Sequence, residues 1–303
     1  MSIDADPEKL YRGLIEHRLI VPTGVQGTFA RSAAFEDVLA RFDALVMQTA
    51  KDDRAEPLTF PPVMNRRVLE KAGYLESFPH LCGAVASFRG DDTQAQELSE
   101  RIHRGESWMD LLELTDVAMN PAACYPVYPT LAGVIPDRGR LITVLNWVFR
   151  HEPSNEPTRL QAFRMREFIR VGGAEEVVAW REMWLDRSLN LLQSLGLPVA
   201  PDAASDPFFG RAGEMLASGQ RERRLKIEIL MPIISNSSPT AICSFNYHEE
   251  HFSSPFDIRM ADGALAKTGC LGFGLERIVM ALFKTHGFDI AEWPAEVRKR
   301  LWN

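Results

Sequence analysis

The feature that most constrains the fold is a pair of strand-like segments on either side of one polar loop. Residues 141–150 and 163–172 are rich in β-branched and aromatic side chains, the composition typical of β-strands. The segment between them, HEPSNEPTRLQ, is polar and contains two prolines. This pattern predicts a long β-hairpin, and a hairpin pairs its two strands in antiparallel orientation.

The remaining elements do not alternate regularly between strands and helices. The segment LGFGLERIVMALFKTHG (271–287) predicts a glycine-rich turn followed by an apolar helix. Other helices are predicted at residues 7–18, 32–50, 65–72, 91–105, 174–195 and 208–219, and other strands at 81–88, 224–234 and 241–248. This irregular order favours an α+β fold with a mainly antiparallel sheet flanked by helices.

We expect two parts in the chain: an N-terminal helical segment over residues 1–56, packed on the core, and a larger domain over residues 57–303. Within the first part, apolar residues of the segment 32–50 recur at helical spacing. That apolar stripe predicts packing in the core or against another subunit.

Composition excludes several classes of function. Lys and Arg total 34 against 41 Asp and Glu, a net charge of −7, which argues against a large nucleic-acid interface but allows a local basic pocket. The acidic start MSIDADPEKL shows no export signal, and the apolar runs are too short to cross a membrane, so we expect a cytoplasmic protein without a membrane partner. The four widely separated cysteines predict free thiols or metal ligands rather than disulfides.

Several charged residues could bind a nucleotide. Arg150 and Glu152 end the first strand of the hairpin, and Arg159 follows its loop. They could hold a triphosphate with Mg²⁺ or an adenine amino group, or they could simply be solvated. Arg277 begins a helix after a glycine-rich segment and could face a nucleotide or lie on the surface.

Two sets of residues could bind a metal ion. His248 and His251 are three residues apart just after a strand, a placement that favours an exposed polar loop over a ligand pair. Cys124, Glu167 and Cys270 form no local motif. Two thiolates and a carboxylate could make a three-ligand zinc site with an open fourth position, but spacing alone does not select these residues.

Two of these segments resemble motifs of class II aminoacyl-tRNA synthetases. The hairpin residues VFRHE (148–152), Arg159 and FRMREF (163–168) resemble motif 2, and LGFGLERIVMAL (271–282) resembles motif 3. FPPV (60–63) with the helix after it resembles motif 1, the dimerisation element. The resemblance implies a class II synthetase-like catalytic domain over residues 57–303 and a homodimer.

Within that class, the sequence is most similar to the catalytic core of the atypical zinc-dependent seryl-tRNA synthetase. That form holds zinc with a Cys, a Glu on the second motif 2 strand and a Cys before motif 3. Cys124, Glu167 and Cys270 match these positions. The resemblance therefore implies one zinc ion on these residues and a substrate amino group at the fourth position, so that Glu167 also belongs to the amino acid site.

The resemblance also implies how ATP is bound. Arg150 would hold the α-phosphate and the attacking carboxylate, and Glu152 would accept a hydrogen bond from the adenine amino group. Phe168 and Arg277 would sandwich the adenine ring, and Arg159 would reach the terminal phosphates. Mg²⁺ is expected with ATP, although a metal-binding Glu that many class II enzymes have near position 241 has no counterpart here. Further residues expected to line the ATP site are Leu160, Lys226, Ala241, Ile242, Cys243 and Ser244.

A seryl-tRNA synthetase needs an N-terminal tRNA-binding arm, usually a long basic coiled coil. The segment before motif 1 shows neither sustained heptads nor a basic surplus. A catalytic core without this arm resembles the bacterial amino acid:[carrier protein] ligases. These enzymes activate a small amino acid with ATP and load it onto the phosphopantetheine thiol of a carrier protein. We expect glycine or alanine, because larger side chains are readily excluded by steric hindrance.

Two alternatives remain open from the sequence. One is a seryl-tRNA synthetase-like enzyme that charges tRNA with a separate partner. The acidic net charge and the missing arm argue against it. The other is a non-catalytic paralogue. The presence of the residues expected to bind ATP argues against it; they are Arg150, Glu152, Arg159 and Arg277.

A carrier protein also needs a docking surface on this chain. Carriers are acidic in most families, so a local basic patch would attract one. The segment FFGRAGEMLASGQRERR supplies candidates, although a solvated helix face is an equally good interpretation; they are Arg211, Arg221, Arg223 and Arg224.

Overall fold

A computed structural model describes residues 7–302, except for the side chains of residues 7, 211 and 212. The helices of this range are α1 (Pro7–Glu16), α2 (Ala33–Thr49), α3 (Arg66–Lys71), α4 (Tyr74–Ser77), α5 (Asp92–Arg104), α6 (Ala174–Ser194), α7 (Gly210–Glu222), α8 (Ser253–Phe256), α9 (Leu275–His286) and α10 (Ala295–Trp302). The strands are β1 (Ile20–Pro22), β2 (Phe29–Arg31), β3 (Glu56–Leu58), β4 (Val63–Asn65), β5 (Ala84–Phe88), β6 (Leu112–Met119), β7 (Gly133–Val134), β8 (Arg140–Phe149), β9 (Ala162–Gly172), β10 (Ala200–Ala203), β11 (Lys226–Met231), β12 (Thr240–Glu249), β13 (Ile258–Arg259) and β14 (Lys267–Gly274).

A seven-stranded sheet organises the molecule, in the order β10-β11-β12-β14-β9-β8-β3. All neighbours in it pair antiparallel except β3, which runs parallel to β8. The predicted hairpin is β8 and β9, paired from Arg140↔Val171 to Phe149↔Ala162. The expectation of an α+β fold with a mainly antiparallel sheet is therefore confirmed.

Helices cover one face of this sheet. Both α6 and α9 pack on β9, β12 and β14, and α2 packs on α9. Ion pairs from alternate residues of β9 fasten α2 to the sheet: Arg164 holds Glu36 and Arg166 holds Asp43, each through two hydrogen bonds of 2.7 Å. Apolar residues of α1 and α2 join the same core as those of the sheet, so the N-terminal segment packs directly against the rest.

The predicted glycine-rich turn at residues 271–274 is wrong, because these residues belong to strand β14. The glycines there have no positive φ, so they are not needed for turning the chain. Instead, a Cβ on Gly272 would lie 2.9 Å from Met165 Cε and 3.3 Å from Glu167 Cγ. Glycine thus leaves room for the side chains of the neighbouring strand β9.

Besides β14, several strands lie where none is predicted, and the longest of these are β6 and the edge strand β10. Strand β6 is the centre of a separate three-stranded sheet in the order β4-β6-β5. The helix predicted between β5 and β6 is present as α5, with Asp91 as its N-cap and Gly105 as its C-cap. Within residues 7–302, no helix is long and apolar enough to cross a membrane.

Candidate active site

A cavity of about 400 Å³ lies over the face of the sheet that α6 and α9 leave uncovered. Its floor is one row of paired residues across β9, β14, β12 and β11. In this row Glu167 pairs with Gly272, Gly272 with Ser244, and Ser244 with Glu228. Side chains of a strand alternate between faces, so every second residue from this row also points into the cavity. The predicted site residues that line it, through side chain or backbone, are Cys124, Arg150, Glu167, Lys226, Ala241, Ile242, Cys243, Ser244, Cys270 and Arg277.

One group in the cavity has the composition of a metal site. Ligand atoms of Cys124, Glu167 and Cys270 all lie within 4.8 Å of one another, and all three residues are buried. Glu167 Oε1 accepts a hydrogen bond of 2.9 Å from the backbone N–H of Ala123. Glu167 Oε2 is buried without a hydrogen-bond partner in the described chain, which is costly unless another group binds there.

The ionisation of this group is strongly coupled. Cys124 donates a hydrogen bond that lowers the pKa of Cys270 well below that of a free thiol, and the same bond, with burial, raises the pKa of Cys124. Burial, and then the negative charge of Cys270, raises the pKa of Glu167 to about 8. Asn246 Nδ2 donates to Cys270 Sγ at 3.4 Å, and His248 Nε2 lies 3.5 Å from the same sulfur. Cys270 is thus stabilised as a thiolate, whereas the raised pKa values of Cys124 and Glu167 favour their protonated forms.

A second group in the cavity combines two arginines with an aromatic ring. The guanidinium carbons of Arg150 and Arg277 lie 5.8 and 6.0 Å from the ring centroid of Phe163. Arg277 donates to the carbonyls of Thr158 and Ala241 at 2.8 and 2.9 Å. Burial, followed by the positive charge of Arg150, lowers the pKa of Arg277 to about 10, so it remains a cation at neutral pH.

The arginines are held by neutral acceptors rather than by acids. Arg150 Nε donates to the carbonyl of Pro121 at 3.0 Å. No carboxylate of the described chain makes an ion pair with Arg150 or Arg277. Lys226 differs, because its ammonium lies 2.6 Å from Asp206 and 3.1 Å from Glu228. The positive charge open to an anionic ligand therefore comes from the two arginines.

The structure contradicts the predicted role of Phe168. This ring is fully buried on the helix-covered face, where it stacks on Trp184 of α6 with ring centroids 5.0 Å apart. The reason is the alternation of β9: Glu167 points into the cavity, so its neighbour must point away. Phe163, four residues before Glu167, is the ring that lies against Arg277.

Three further predicted residues do not line the cavity. Leu160 is buried elsewhere in the core. Glu152 and Arg159 lie on the loop between β8 and β9, where Arg159 makes ion pairs of 3.7 Å with Glu152 and 3.6 Å with Glu156. The side chain of Arg159 is 55% exposed, so it is accessible to a ligand that reaches this loop.

Sequence reasoning missed several cavity residues that lie two positions from predicted ones. Met165 precedes Glu167 by two residues, and Asn246 and Glu228 follow Ser244 and Lys226 by two. The period of two along a strand could have found them. The interpretation of His248 as part of an exposed polar loop is wrong, since it is on β12 beside Cys270. Asp206 carries no such signal, because only the fold brings it to Lys226.

Comparison with known proteins identifies the family. The chain is 44% identical over 283 residues to amino acid–[acyl-carrier-protein] ligase 1 of Bradyrhizobium diazoefficiens, which covers 93% of this chain and 86% of that protein. This chain belongs to the amino acid–[acyl-carrier-protein] ligase family. Ligase 2 of the same organism is 43% identical over 280 residues, 92% of this ligase-family chain and 84% of that protein. No protein-family model matches the sequence.

More distant relatives of this ligase-family chain are synthetases. A type-2 serine–tRNA ligase of Methanopyrus kandleri is 26% identical over 294 residues, with 89% of this chain and 55% of that protein covered. An M. kandleri SerRS solved with A. aeolicus tRNASec superposes with a TM-score of 0.83 at 21% identity, over 99% of this chain and 60% of that one. A Pyrococcus horikoshii seryl-tRNA synthetase solved with ATP gives 0.69 at 13% identity, over 94% of this chain and 60% of that one. The predicted class II synthetase-like fold is confirmed.

Proposed function

We propose that this protein activates a small amino acid with ATP and transfers it to the phosphopantetheine thiol of a carrier protein. One observation supports this most directly: a single cavity contains both the Cys124–Glu167–Cys270 group and the pair of unpaired arginines. Glu167 and Phe163 are four residues apart on one strand, about 13 Å at the usual rise. An aminoacyl-adenylate has its amine at one end and its adenine at the other, so it can contact both groups.

In the first half-reaction the amino acid carboxylate attacks the α-phosphorus of ATP, and pyrophosphate leaves. Negative charge grows on the α-phosphate in the transition state, so a fixed cation beside it lowers the barrier. Arg150 suits this role, because its hydrogen bond to the Pro121 carbonyl orients it without neutralising it. Arg277 and Phe163 suit the adenine ring, which both can stack against. Glu152 and Arg159 suit the adenine amino group and the terminal phosphates, and Mg²⁺ enters with ATP.

We further propose that Cys124, Glu167 and Cys270 hold one zinc ion. Two sulfurs and a carboxylate form a typical zinc ligand set, and the partnerless Glu167 Oε2 supplies an oxygen with no competing donor in the described chain. When bound, zinc offers an open coordination position to a neutral amino group, which selects an α-amino acid. The substrate is glycine or alanine in our proposal, because the group is buried and steric hindrance readily excludes longer side chains.

In the second half-reaction the thiol attacks the adenylate carbonyl, a thioester forms and AMP leaves. Helix α7 supports a docking role for the carrier, because its residues Leu216 and Gln220 line the cavity while Arg221 lies exposed at its end. Arg223 and Arg224 continue this exposed basic surface. The side chain of Arg211, predicted to belong to it, lies outside the described residues. A homodimer is proposed from the resemblance to motif 1 alone.

The decisive experiment compares acceptors side by side. Purified protein is given ATP, a radiolabelled amino acid, and either total tRNA or a phosphopantetheinylated carrier protein. We expect pyrophosphate exchange with glycine or alanine, loss of that exchange with a zinc chelator, and label on the carrier only. Label on tRNA would instead support a tRNA-charging enzyme, and absence of exchange with every amino acid would support a non-catalytic paralogue.

A further inference from the structure

The N-terminal segment reaches into the proposed ATP site through one short loop. Residues 23–28 connect β1 to β2 and lie against the loop of residues 150–161, which connects β8 to β9. Gln26 Nε2 donates to Asn155 Oδ1 at 3.1 Å. The backbone N–H of Gln161 donates to the carbonyl of Gly27 at 2.8 Å. The shorter loop thus holds the longer one both at its middle and at its end.

Gln161 connects this contact to the residues proposed to bind ATP. Its carboxamide donates to the carbonyl of Gln26 at 2.7 Å, and its Oε1 lies 3.1 Å from the His151 ring nitrogen Nδ1. Its backbone carbonyl accepts from the N–H of Arg150 at 2.9 Å. Gln161 is itself buried. Gln161 therefore joins the N-terminal loop to the end of the longer loop, while the Arg150 side chain keeps its own hydrogen bond to the Pro121 carbonyl.

Gly27 approaches the longer loop so closely that a larger residue would crowd it. A Cβ there would lie 3.0 Å from the carbonyl oxygen of Arg159 and 3.2 Å from the backbone N of Gln161. Its φ of +71° is also in the left-handed region that favours glycine. Gly24 in the same loop has a φ of +88°, but a Cβ there would have no atom within 4 Å. Both glycines therefore have a positive φ, but only at Gly27 would an added side chain meet the longer loop.

We propose that Gln26 and Gly27 form a clamp that positions Arg159 for the terminal phosphates of ATP. The inference rests on the proposed function, and it makes the N-terminal segment part of the active site. Arg159 has a half-exposed side chain with ion pairs of 3.6 and 3.7 Å only, so its position depends on its backbone. Arg277 holds that backbone at the residue before Arg159, through the Thr158 carbonyl, and the clamp holds it two residues after Arg159, at Gln161. Gln26 and Gly27 are positioning residues, since they act through Arg159.

A positioning role for the terminal phosphates predicts a selective effect on triphosphates. Gly27→Ala adds a methyl group against the Arg159 carbonyl, whereas Gly24→Ala imposes a similar backbone strain without that contact. We expect Gly27→Ala to weaken ATP binding about tenfold and AMP binding less than about twofold, because AMP lacks the phosphates that Arg159 would hold. Gly24→Ala should leave both affinities within about twofold. Equilibrium nucleotide titration of the full-length protein measures all four values.

Gln26→Ala, alone and combined with Arg159→Ala, keeps the test decisive if Gly27→Ala does not fold. Gln26→Ala removes the bond to Asn155 without adding bulk, and it should also lower ATP affinity more than AMP affinity. Gly27→Ala or Gln26→Ala combined with Arg159→Ala should bind ATP no more weakly than Arg159→Ala alone. Equal losses for ATP and AMP, additive effects with Arg159→Ala, or identical behaviour of the two glycine variants would overturn the clamp.

Different measurements test the clamp and the proposed function. Pyrophosphate exchange and carrier loading by the wild-type protein test the proposed function. The ratio of ATP to AMP affinity in the variants tests the clamp and requires no turnover.

Discussion

Glu167 and Phe168 are neighbours on β9, and their side chains lie on opposite faces of the sheet. Glu167 belongs to the group with Cys124 and Cys270, while Phe168 stacks on Trp184 beneath it. One strand cannot direct two consecutive side chains to the same ligand. With a carboxylate facing the cavity at position 167, the adenine platform that we propose on β9 has to come from an odd-numbered position, and Phe163 occupies one.

This relationship predicts opposite outcomes for two identical substitutions. Phe163→Leu should raise the KM for ATP by about tenfold, because an aromatic stacking surface beside Arg150 and Arg277 is lost. Phe168→Leu should leave the KM for ATP unchanged and lower the free energy of unfolding by about 1–3 kcal/mol, because it disrupts a buried stack. ATP-dependent pyrophosphate exchange and chemical denaturation measure the two effects. A raised KM in Phe168→Leu alone would instead support Phe168 as the adenine platform.

The wrong assignment of Phe168 shows what sequence reasoning lacked. Composition is enough to predict the hairpin of β8 and β9, because two segments rich in β-branched and aromatic residues that are joined by a polar loop typically pair as a hairpin. Assigning residue roles from a motif match ignores the alternation of the strand, which separates Glu167 from Phe168. The period of two is present in the sequence and would have corrected the assignment.

Other features require the folded chain. The glycines at 272 and 274 suggest a turn, since a sequence does not distinguish a glycine that bends the chain from one that makes room for Met165. Cys124 lies on a loop far from Glu167 in sequence, and only the resemblance selects it. The pairing of Lys226 with Asp206 brings together residues on separate elements, so no local pattern indicates it.

Removal of one thiol should remove the metal. Cys124→Ser should reduce zinc from about one ion per chain to well below half, because a serine hydroxyl is a poor zinc ligand. Amino acid-dependent pyrophosphate exchange should fall with it. Cys82→Ser provides the matched control, as Cys82 is a free cysteine outside the group. Elemental analysis after gel filtration measures the metal, and full zinc retention in Cys124→Ser would refute the assigned ligands.

Stability of the metal-free protein should depend on pH through Glu167. Its pKa rises from an ordinary 4.5 to about 8 on folding, so the folded state binds the extra proton between these values. The free energy of unfolding therefore falls as pH rises from about 4.5 to 8. Glu167→Gln cannot titrate, so this contribution is absent from it. Denaturation of chelator-treated wild type and variant across this range measures the difference, and parallel pH profiles would contradict the prediction.

Charge reversal at the end of α7 should separate the two half-reactions. Reversal of the exposed Arg221, Arg223 and Arg224 to Glu should slow carrier loading at least about tenfold, because docking of an acidic partner depends on complementary charge. Adenylate formation should stay within about twofold, since none of these residues belongs to the arginine–Phe163 group and only Arg223, which pairs with Glu249, lines the cavity. Stopped assays of carrier thioester and of pyrophosphate exchange measure the two steps.

Helix α10 offers the matched control for this experiment. It carries three consecutive exposed cationic residues on an element that packs on α2, and reversing them changes the net charge by the same amount; they are Arg298, Lys299 and Arg300. Carrier loading should be unaffected by this control. Equal slowing by both triple variants would indicate a general charge effect, and equal loss of both half-reactions in the α7 variant would dismiss the docking surface.

The way Arg150 and Arg277 are tethered has a consequence for the lifetime of the intermediate. Both guanidinium groups are oriented by neutral backbone carbonyls rather than by carboxylates, so their positive charge is still available after pyrophosphate has left. In the proposed reaction the adenylate still carries a phosphate anion, which these cations continue to retain. A reactive mixed anhydride would thus stay bound until a thiol arrives.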